Sequence, residues 1–274
     1  MNNPYCYMGG KIARLKSLHL PLNDLGVLRA YGIFDYLRTM HGVPVALDAH
    51  IARFQRSAKK IGLTIPVSKK ELEHITHTLI KKNKFKETSI KFVLTGGASD
   101  DGVTLGKSPS FYILAGEAKN PPESYYTKGV HLETHEYQRL LPDIKTINYI
   151  VSVQRQKELK KRGILELLYV HKGKVLECSS SNIFIVKGKK VSTPKDDVLT
   201  GTTKEHIKQL ARQKYVVAER DIRVAELWSA DEVFLTASNK SVMPVVTIDG
   251  RKIGTGKVGP IAKELRALYD ASLK

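Results

Sequence analysis

The sequence of 274 residues contains only two cysteines, Cys6 and Cys178, which are far apart. This spacing excludes a dense disulfide framework and provides no metal-ligand motif, so we expect two free thiols and no metal. Long hydrophobic runs are also lacking, since none approaches the roughly 18 to 20 apolar residues that cross a bilayer. The N-terminus has neither a basic start nor an apolar stretch. Because no secretory signal is visible, we expect a cytoplasmic protein without a membrane partner.

The composition is that of an ordinary globular protein, with 42% hydrophobic and 26% charged residues. A net charge of +18 suggests nucleic-acid binding, because clustered Lys and Arg side chains neutralise phosphates. The basic residues are instead scattered in short groups without interleaved aromatic residues, so we expect no specific nucleic-acid partner. We interpret them as solvated faces whose net field attracts anionic substrates and cofactors.

Hydrophobic periodicity and turn residues predict an α+β protein with two domains. A polar segment with paired prolines, Pro121 and Pro122, is typical of a linker. We therefore place a small N-terminal α+β domain at residues 1–117, a linker at 118–124 and a larger C-terminal domain at 125–274. The predicted helices span residues 50–61, 69–83, 149–162, 204–213 and 261–273. The predicted strands comprise two within 5–16, then 32–38, 43–47, 89–95, 110–114, 130–135, 167–171, 175–177, 183–186, 190–192, 232–236 and 245–248.

Three segments have chemistry that suits pyridoxal phosphate: residues 143–149, 176–184 and 199–203. A lysine forms a Schiff base with an aldehyde only when its amine is deprotonated, which requires burial or nearby positive charge to lower its pKa. Lys145 is the candidate, and its released amine can also move a proton as a general base. A carboxylate beside the pyridine nitrogen keeps that nitrogen protonated, so that the ring can accept electrons. Glu177 fits this role, and an exposed strand glutamate is the alternative.

The phosphate of such a cofactor needs N–H donors at a helix start, hydroxyl groups and a fixed cation. Thr202, Thr203 and Arg53 can supply these groups. Residues 202–205 also have the pattern of a helix capping box, which is compatible with phosphate binding. For Arg53 the alternative is a surface ion pair.

These segments resemble those of the fold-type IV pyridoxal-phosphate enzymes. That family includes branched-chain aminotransferases, D-amino-acid aminotransferases and 4-amino-4-deoxychorismate lyases. Further similar motifs follow in the same order, so the resemblance covers nearly the whole chain; they are residues 31–39, 47–54, 57–58 and 235–238. The resemblance implies a small N-terminal α/β sandwich and a larger C-terminal domain with a pseudo-barrel of strands. It also implies a homodimer, with each active site at the domain junction near the partner subunit.

The resemblance assigns Lys145 as the residue that carries the cofactor. Tyr149 resembles the tyrosine that binds the cofactor's phenolic oxygen, and Leu199 the apolar residue against one ring face. Either Ser180 or Ser181 is expected to reach the phosphate, directly or through water. For Asn148 the alternative is an ordinary helix cap. The implied cofactor-binding residues are Arg53, Lys145, Tyr149, Glu177, Ser180, Ser181, Asn182, Leu199, Thr202, Thr203 and Ser238.

The sequence departs from the family where the substrate carboxylate would bind. The best-known D-amino-acid aminotransferases have an arginine and a histidine after a Thr-x-Gly turn, whereas this chain has neither in residues 98–103. We expect basic residues elsewhere to replace them, or a different substrate. The candidate substrate-binding residues are Arg29, Tyr31, Arg38 and Lys91, and each of the three basic residues has a surface charge as its alternative.

The leading hypothesis for function is an aminotransferase that exchanges an amine between an amino acid and a 2-keto acid. The second is a 4-amino-4-deoxychorismate lyase, which would use the same lysine to release pyruvate and p-aminobenzoate. A cofactor-binding or basic scaffold protein without turnover is a third, and the presence of both Lys145 and Glu177 argues against it.

Overall fold

The computed structural model describes residues 3–273, and the chain divides into two compact units. The N unit comprises Met1–Lys119 and Ile144–Asn148, and the C unit comprises Asn120–Asp143 and Tyr149–Lys274. The first crossing between units, after Lys119, falls within the polar segment that the sequence marks as a linker. The short segment with Lys145 was assigned to the second domain from sequence, but its contacts group it with the N unit.

The N unit is built on a six-stranded antiparallel sheet with the order β2-β1-β6-β5-β3-β4. Its strands are β1 (Tyr5–Met8), β2 (Lys11–Arg14), β3 (Gly32–Met40), β4 (Val43–Pro44), β5 (Thr88–Thr95) and β6 (Ser110–Glu117). Its helices are α1 (Leu25–Arg29), α2 (Leu47–Lys60) and α3 (Lys69–Asn83), with a 3-10 turn at Leu15–Ser17.

Strand β3 has two different faces because its side chains alternate. Ile33 and Leu37 are fully buried in the core that also contains Phe54 from α2 and Leu79 from α3. The opposite face carries Phe34, Tyr36 and Arg38, which matter for the site described below. The strand predicted at 43–47 is shorter than expected, because Ala46 adopts a left-handed φ of 51° and α2 begins at Leu47.

The C unit contains a ten-stranded mixed sheet that curls into a half-barrel. Its path is β12-β11-β10-β14-β15-β7-β8-β9-β13, with β16 paired to β15. The strands are β7 (Val130–Glu136), β8 (Glu166–His171), β9 (Lys174–Cys178), β10 (Asn182–Lys187), β11 (Lys190–Thr193), β12 (Val216–Glu219), β13 (Ile222–Arg223), β14 (Glu232–Ala237), β15 (Ser241–Ile248) and β16 (Arg251–Lys252). The helices are α4 (Ser124–Thr127), α5 (Ile150–Lys161), α6 (Thr202–Ala211), α7 (Val224–Ser229) and α8 (Pro260–Ser272).

Most predicted elements are confirmed, but two predicted helix caps are wrong. Helix α6 begins at Thr202 with Gly201 in the N-cap position, so Thr202 does not cap it. Helix α5 has Tyr149 in its N-cap position, so Asn148 is not the cap. Helix α6 therefore begins earlier than its polar residues suggested, and helix α5 begins later.

Both cysteines are buried and free, as the sequence predicts. Within residues 3–273, no helix is long and apolar enough to span a membrane. The same residues contain no group of three or more His, Cys, Asp or Glu side chains that could hold a metal ion.

Candidate active site

The backbone around Lys145 is fixed by pairing with β3 in the N unit. The Phe34 N–H donates to the Lys145 carbonyl at 2.9 Å, and the Ile147 N–H donates to the Gly32 carbonyl at 3.0 Å. Ile33 and Thr146 form the antiparallel bridge between these two bonds. The lysine therefore has a defined position on the sheet, although it lies in an irregular segment.

The side chain of Lys145 is half-buried, and its amine and that of a second lysine both lie near the same aromatic ring. Its Nζ lies 4.6 Å from the centroid of the Phe34 ring, and the Nζ of Lys91 lies 5.6 Å from the same centroid. Lys91 is on β5, opposite Tyr36 on β3. The structure thus brings one substrate-binding candidate onto the sheet face that carries Lys145.

Arg53 forms a buried network with Asp35 and His50. Its Nε and Nη2 donate to the two oxygens of Asp35, both at 2.8 Å, and His50 Nδ1 lies 2.7 Å from Asp35 Oδ1. Burial alone would raise the pKa of Asp35, but the charge and hydrogen bonds of Arg53, with help from His50, hold it well below its ordinary value. Burial also lowers the pKa of His50, and the charges of Arg53 and Lys145 lower it further against the opposing effect of Asp35.

Asp35 was missed by the sequence interpretation, although it lies within the motif at 31–39. The available signal was an acidic residue at an inward position of an otherwise apolar strand face. Such a residue needs a buried cation, and Arg53 is that cation.

The other substrate-binding candidates have varied environments. The Tyr31 hydroxyl donates to the Ile61 carbonyl, and Arg29 is exposed at the end of α1, where it donates to the Leu28 carbonyl at 2.9 Å. Arg38 is buried, its Nε donating to the Thr39 carbonyl at 3.3 Å. Among residues 3–273 its Nη2 has no hydrogen-bond partner. Lys91 is therefore the candidate whose amine lies over the same Phe34 ring as the Lys145 amine.

Glu177 lies on β9 of the C unit, and its carboxylate is buried and paired. Arg139 Nε and Nη2 lie 2.8 Å and 2.7 Å from Glu177 Oε1, and the Leu199 N–H donates to Oε2 at 3.1 Å. These contacts orient the carboxylate, which has the capacity to accept further hydrogen bonds. The solvated alternative for Glu177 is wrong, because only 6% of the residue is exposed.

Tyr149 and Glu177 both lie in the electrostatic neighbourhood of Tyr169. Burial raises the pKa of Tyr169, and the nearby Tyr137, Tyr149 and Glu177 raise it further. Tyr137 packs edge-on against Tyr169 with a centroid separation of 4.9 Å. The C unit thus places Tyr149 and Glu177 around one buried tyrosine, Tyr169.

The serines after Glu177 form a tight turn in which two hydroxyls already have acceptors. The Cys178 N–H donates to the Ser181 carbonyl at 2.8 Å. The Ser180 and Ser181 hydroxyls both donate to Glu166, at 2.9 Å and 3.0 Å. Neither hydroxyl proton is left to donate to a phosphate in this arrangement.

The start of α6 lies directly after the loop at residues 199–201. Gly201 precedes Thr202 and Thr203, which are in the first turn, where backbone N–H groups lack intrahelical acceptors. The Asn182 Nδ2 donates to the Leu199 carbonyl at 2.8 Å and so fixes the loop before the helix. Ser238 is half-buried in the turn after β14.

Comparison with known proteins identifies the family of the chain. Residues 32–248 match the family described as amino-transferase class IV. A Methanocaldococcus jannaschii protein provisionally named a branched-chain-amino-acid aminotransferase is 31% identical over 274 residues, covering 96% of this chain and 94% of that one. The D-alanine aminotransferase of Bacillus licheniformis is 27% identical over 269 residues, covering 96% and 95%.

A solved structure shares the fold over nearly its full length. The branched-chain aminotransferase of the thermophilic archaeon Thermoproteus uzoniensis, solved with norvaline, has a TM-score of 0.89 and 25% identity, covering 99% of this chain and 95% of that one. The predicted α+β, fold-type IV architecture is thereby confirmed. Because the family match spans most of the sequence, the chain belongs to the class IV aminotransferases and is an enzyme of that class.

Proposed function

We propose that the enzyme transfers an amino group between an amino acid and a 2-keto acid, with pyridoxal 5'-phosphate held as a Schiff base on Lys145. The substrates would be of the D-amino-acid or branched-chain type. The observation that carries this proposal is the buried, Arg139-paired carboxylate of Glu177, because a glutamate held in this way is suited to a pyridinium nitrogen. The relatives with D-alanine and branched-chain names support the same reaction class.

The residues present fit this cofactor. Glu177 offers an oriented carboxylate, and the start of α6 offers N–H groups and the hydroxyls of Thr202 and Thr203 to a phosphate. Arg53 offers a buried guanidinium fixed by Asp35. When bound, the cofactor supplies an electron sink for the carbanion left by proton removal.

The chain's own groups have separate tasks in this proposal. The Lys145 amine takes the proton from the substrate α-carbon and returns it, which is general acid–base work. Glu177 holds the proton on the ring nitrogen, and Arg139 keeps the carboxylate in place. Leu199 would pack on the ring, and Tyr149 would bind the phenolic oxygen.

The substrate carboxylate needs a cation, and we propose Lys91 first, with Arg29 and Arg38 as further candidates. Lys91 is supported by its position over the Phe34 ring that Lys145 also contacts. We further propose a cytoplasmic homodimer, as is usual for the family; sedimentation of the purified enzyme would test the dimer.

The cofactor proposal is tested by absorbance and chemical trapping. The purified protein should be yellow, and borohydride should fix the cofactor on Lys145, as identified by peptide mass spectrometry. Lys145→Ala should lose this covalent labelling, whereas Lys157→Ala, at an exposed site on α5, should keep it. Covalent labelling that persists in Lys145→Ala would contradict the assignment.

The reaction is tested by comparing substrates. Incubation with D-alanine, L-leucine or L-glutamate and a keto acid should exchange the amino group. Incubation with aminodeoxychorismate should release no p-aminobenzoate. Release of p-aminobenzoate without an amine acceptor would favour the lyase instead.

A further inference from the structure

Lys240 lies in the turn between β14 and β15 and is buried against an acid. Its Nζ is 2.6 Å from Glu166 Oε1 and donates to the Ser180 hydroxyl at 2.9 Å. Lys240 is 8% exposed and Glu166 is 5% exposed, so both charges are withdrawn from water. Neither residue was predicted from the sequence, and the proposed function assigns neither of them.

Glu166 joins Lys240 to the turn that follows Glu177. One of its oxygens accepts from the Ser180 N–H at 3.0 Å, and the other accepts from the hydroxyls of Ser180 and Ser181. The turn is closed by the backbone hydrogen bond from the Cys178 N–H to the Ser181 carbonyl. The Glu166 carboxylate thus accepts hydrogen bonds from three donors of this turn and also forms an ion pair with Lys240, in the turn after β14.

The charge of Lys240 is needed for this arrangement. Burial alone would raise the pKa of Glu166, but the charge and hydrogen bond of Lys240, with the donors of Ser180, lower it below its ordinary value. Removing one partner of a buried pair leaves an uncompensated charge, which is more damaging than removing both. Without Lys240, Glu166 would take up a proton or recruit water, and the donors of the turn would lose their fixed acceptor.

We propose that Lys240 is a positioning residue for the cofactor-binding carboxylate: by neutralising Glu166 and holding Ser180, it fixes the turn that presents Glu177. This inference rests on the proposed function, since Glu177 is taken as the ring-nitrogen partner. Lys240 also fixes the turn that carries Ser238, two residues earlier. It touches neither cofactor nor substrate in this role.

The test measures pyridoxal phosphate binding to purified apoenzyme. Lys240→Met should raise the dissociation constant of pyridoxal phosphate by about tenfold or more, the scale of one lost charge-assisted hydrogen bond. It should also change the visible spectrum of the bound cofactor and the pH dependence of that spectrum. Lys187→Met removes an exposed pair with Asp231 in the same sheet and should change neither.

The double variant Glu166→Gln with Lys240→Met separates charge from packing. It should bind the cofactor more tightly than Lys240→Met, since no buried charge is left unpaired, but more weakly than wild type. If Lys240→Met does not fold, this double variant alone decides, because Ser180 still lacks its cationic partner. Affinity and spectrum equal to wild type in the folded variants, with only the melting temperature lowered, would overturn the inference. A wild-type enzyme that binds no pyridoxal phosphate would instead overturn the proposed function.

Discussion

Arg53 on α2 and Asp35 on β3 form a two-point ion pair inside the N unit, with Nε–Oδ2 and Nη2–Oδ1 distances of 2.8 Å each. A guanidinium held at two points by a carboxylate cannot rotate without breaking both bonds. The candidate phosphate arginine is therefore oriented by a residue eighteen positions earlier in the chain.

Asp35→Asn should destabilise the enzyme strongly. Breaking a buried pair by removing one charge costs about 3–5 kcal/mol, because Arg53 remains buried without its counter-charge. The free energy of unfolding in urea should fall by this amount, and cofactor affinity should fall with it. Asp100→Asn, at an exposed position, is the matched control. A loss as small as that of the control would show that the pair does not orient Arg53.

Stability should fall as the solution is acidified through the range where histidine titrates. The unfolded chain protonates His50 near the ordinary pKa of 6.5, whereas the buried residue has a lowered pKa and stays neutral to lower pH. The stability due to neutral His50 is complete above pH 6.5 and is lost as pH falls towards its folded pKa.

His50→Gln should therefore flatten the pH dependence of unfolding below pH 6.5. One proton contributes at most ~1.4 kcal/mol per pH unit to this slope. Urea unfolding at several pH values from about 7 to about 5, the range where histidine titrates, gives the measurement. His77→Gln is the exposed control. An unchanged slope in His50→Gln would contradict the linkage.

Arg139→Met should impair catalysis more than it impairs folding. The substitution removes both nitrogen contacts to Glu177 and takes this cation away from the carboxylate. We expect kcat/KM to fall by about tenfold or more, equivalent to ~1.4 kcal/mol for each decade. Arg139→Lys should lie between wild type and Arg139→Met, since it keeps the charge but not the two-point geometry. Arg162→Met, which removes exposed contacts to Glu133 and Glu158, should have little effect on kcat/KM.

Gly201→Ala should disturb the loop before α6. A Cβ there would lie 2.0 Å from Asn182 Oδ1, so Asn182 would have to release the Leu199 carbonyl or the loop would have to move. Overpacking of this kind costs about 1–3 kcal/mol. Melting temperature and cofactor affinity should both fall. Gly116→Ala, whose Cβ would lie 3.4 Å from Ser89 Oγ, should be tolerated, and equal effects of the two changes would refute the prediction.

The long elements of the fold could be predicted from sequence because each has its own periodic pattern. Helix α3 covers the predicted range, Lys69–Asn83, in full. Some short elements, such as α1 and β13, were missed because they hold too few residues to display a periodic pattern. Strand β4 was predicted too long, since the left-handed turn at Ala46 leaves no mark in the hydrophobic pattern.

The candidate site was predictable only where its residues lie in compact motifs, as Lys145, Glu177 and Thr202 do. Asp35 and Arg139 act through partners that are distant in sequence, as do Glu166 and Lys240. Arg139 meets Glu177 across 38 positions, and Lys240 meets Ser180 across 60. Such pairings form only when the chain folds, so a single sequence does not reveal them.

The grouping of Ile144–Asn148 with the N unit means that the chain crosses between the two units three times. A fragment of residues 1–119 would lack the stretch that hydrogen-bonds to β3 at Gly32 and Phe34, and a fragment of residues 120–274 would carry Lys145 without those partners. Neither half is a self-sufficient module. An exchange of N units between two such enzymes must therefore transplant this five-residue insert as well, or Lys145 will lie against a foreign sheet.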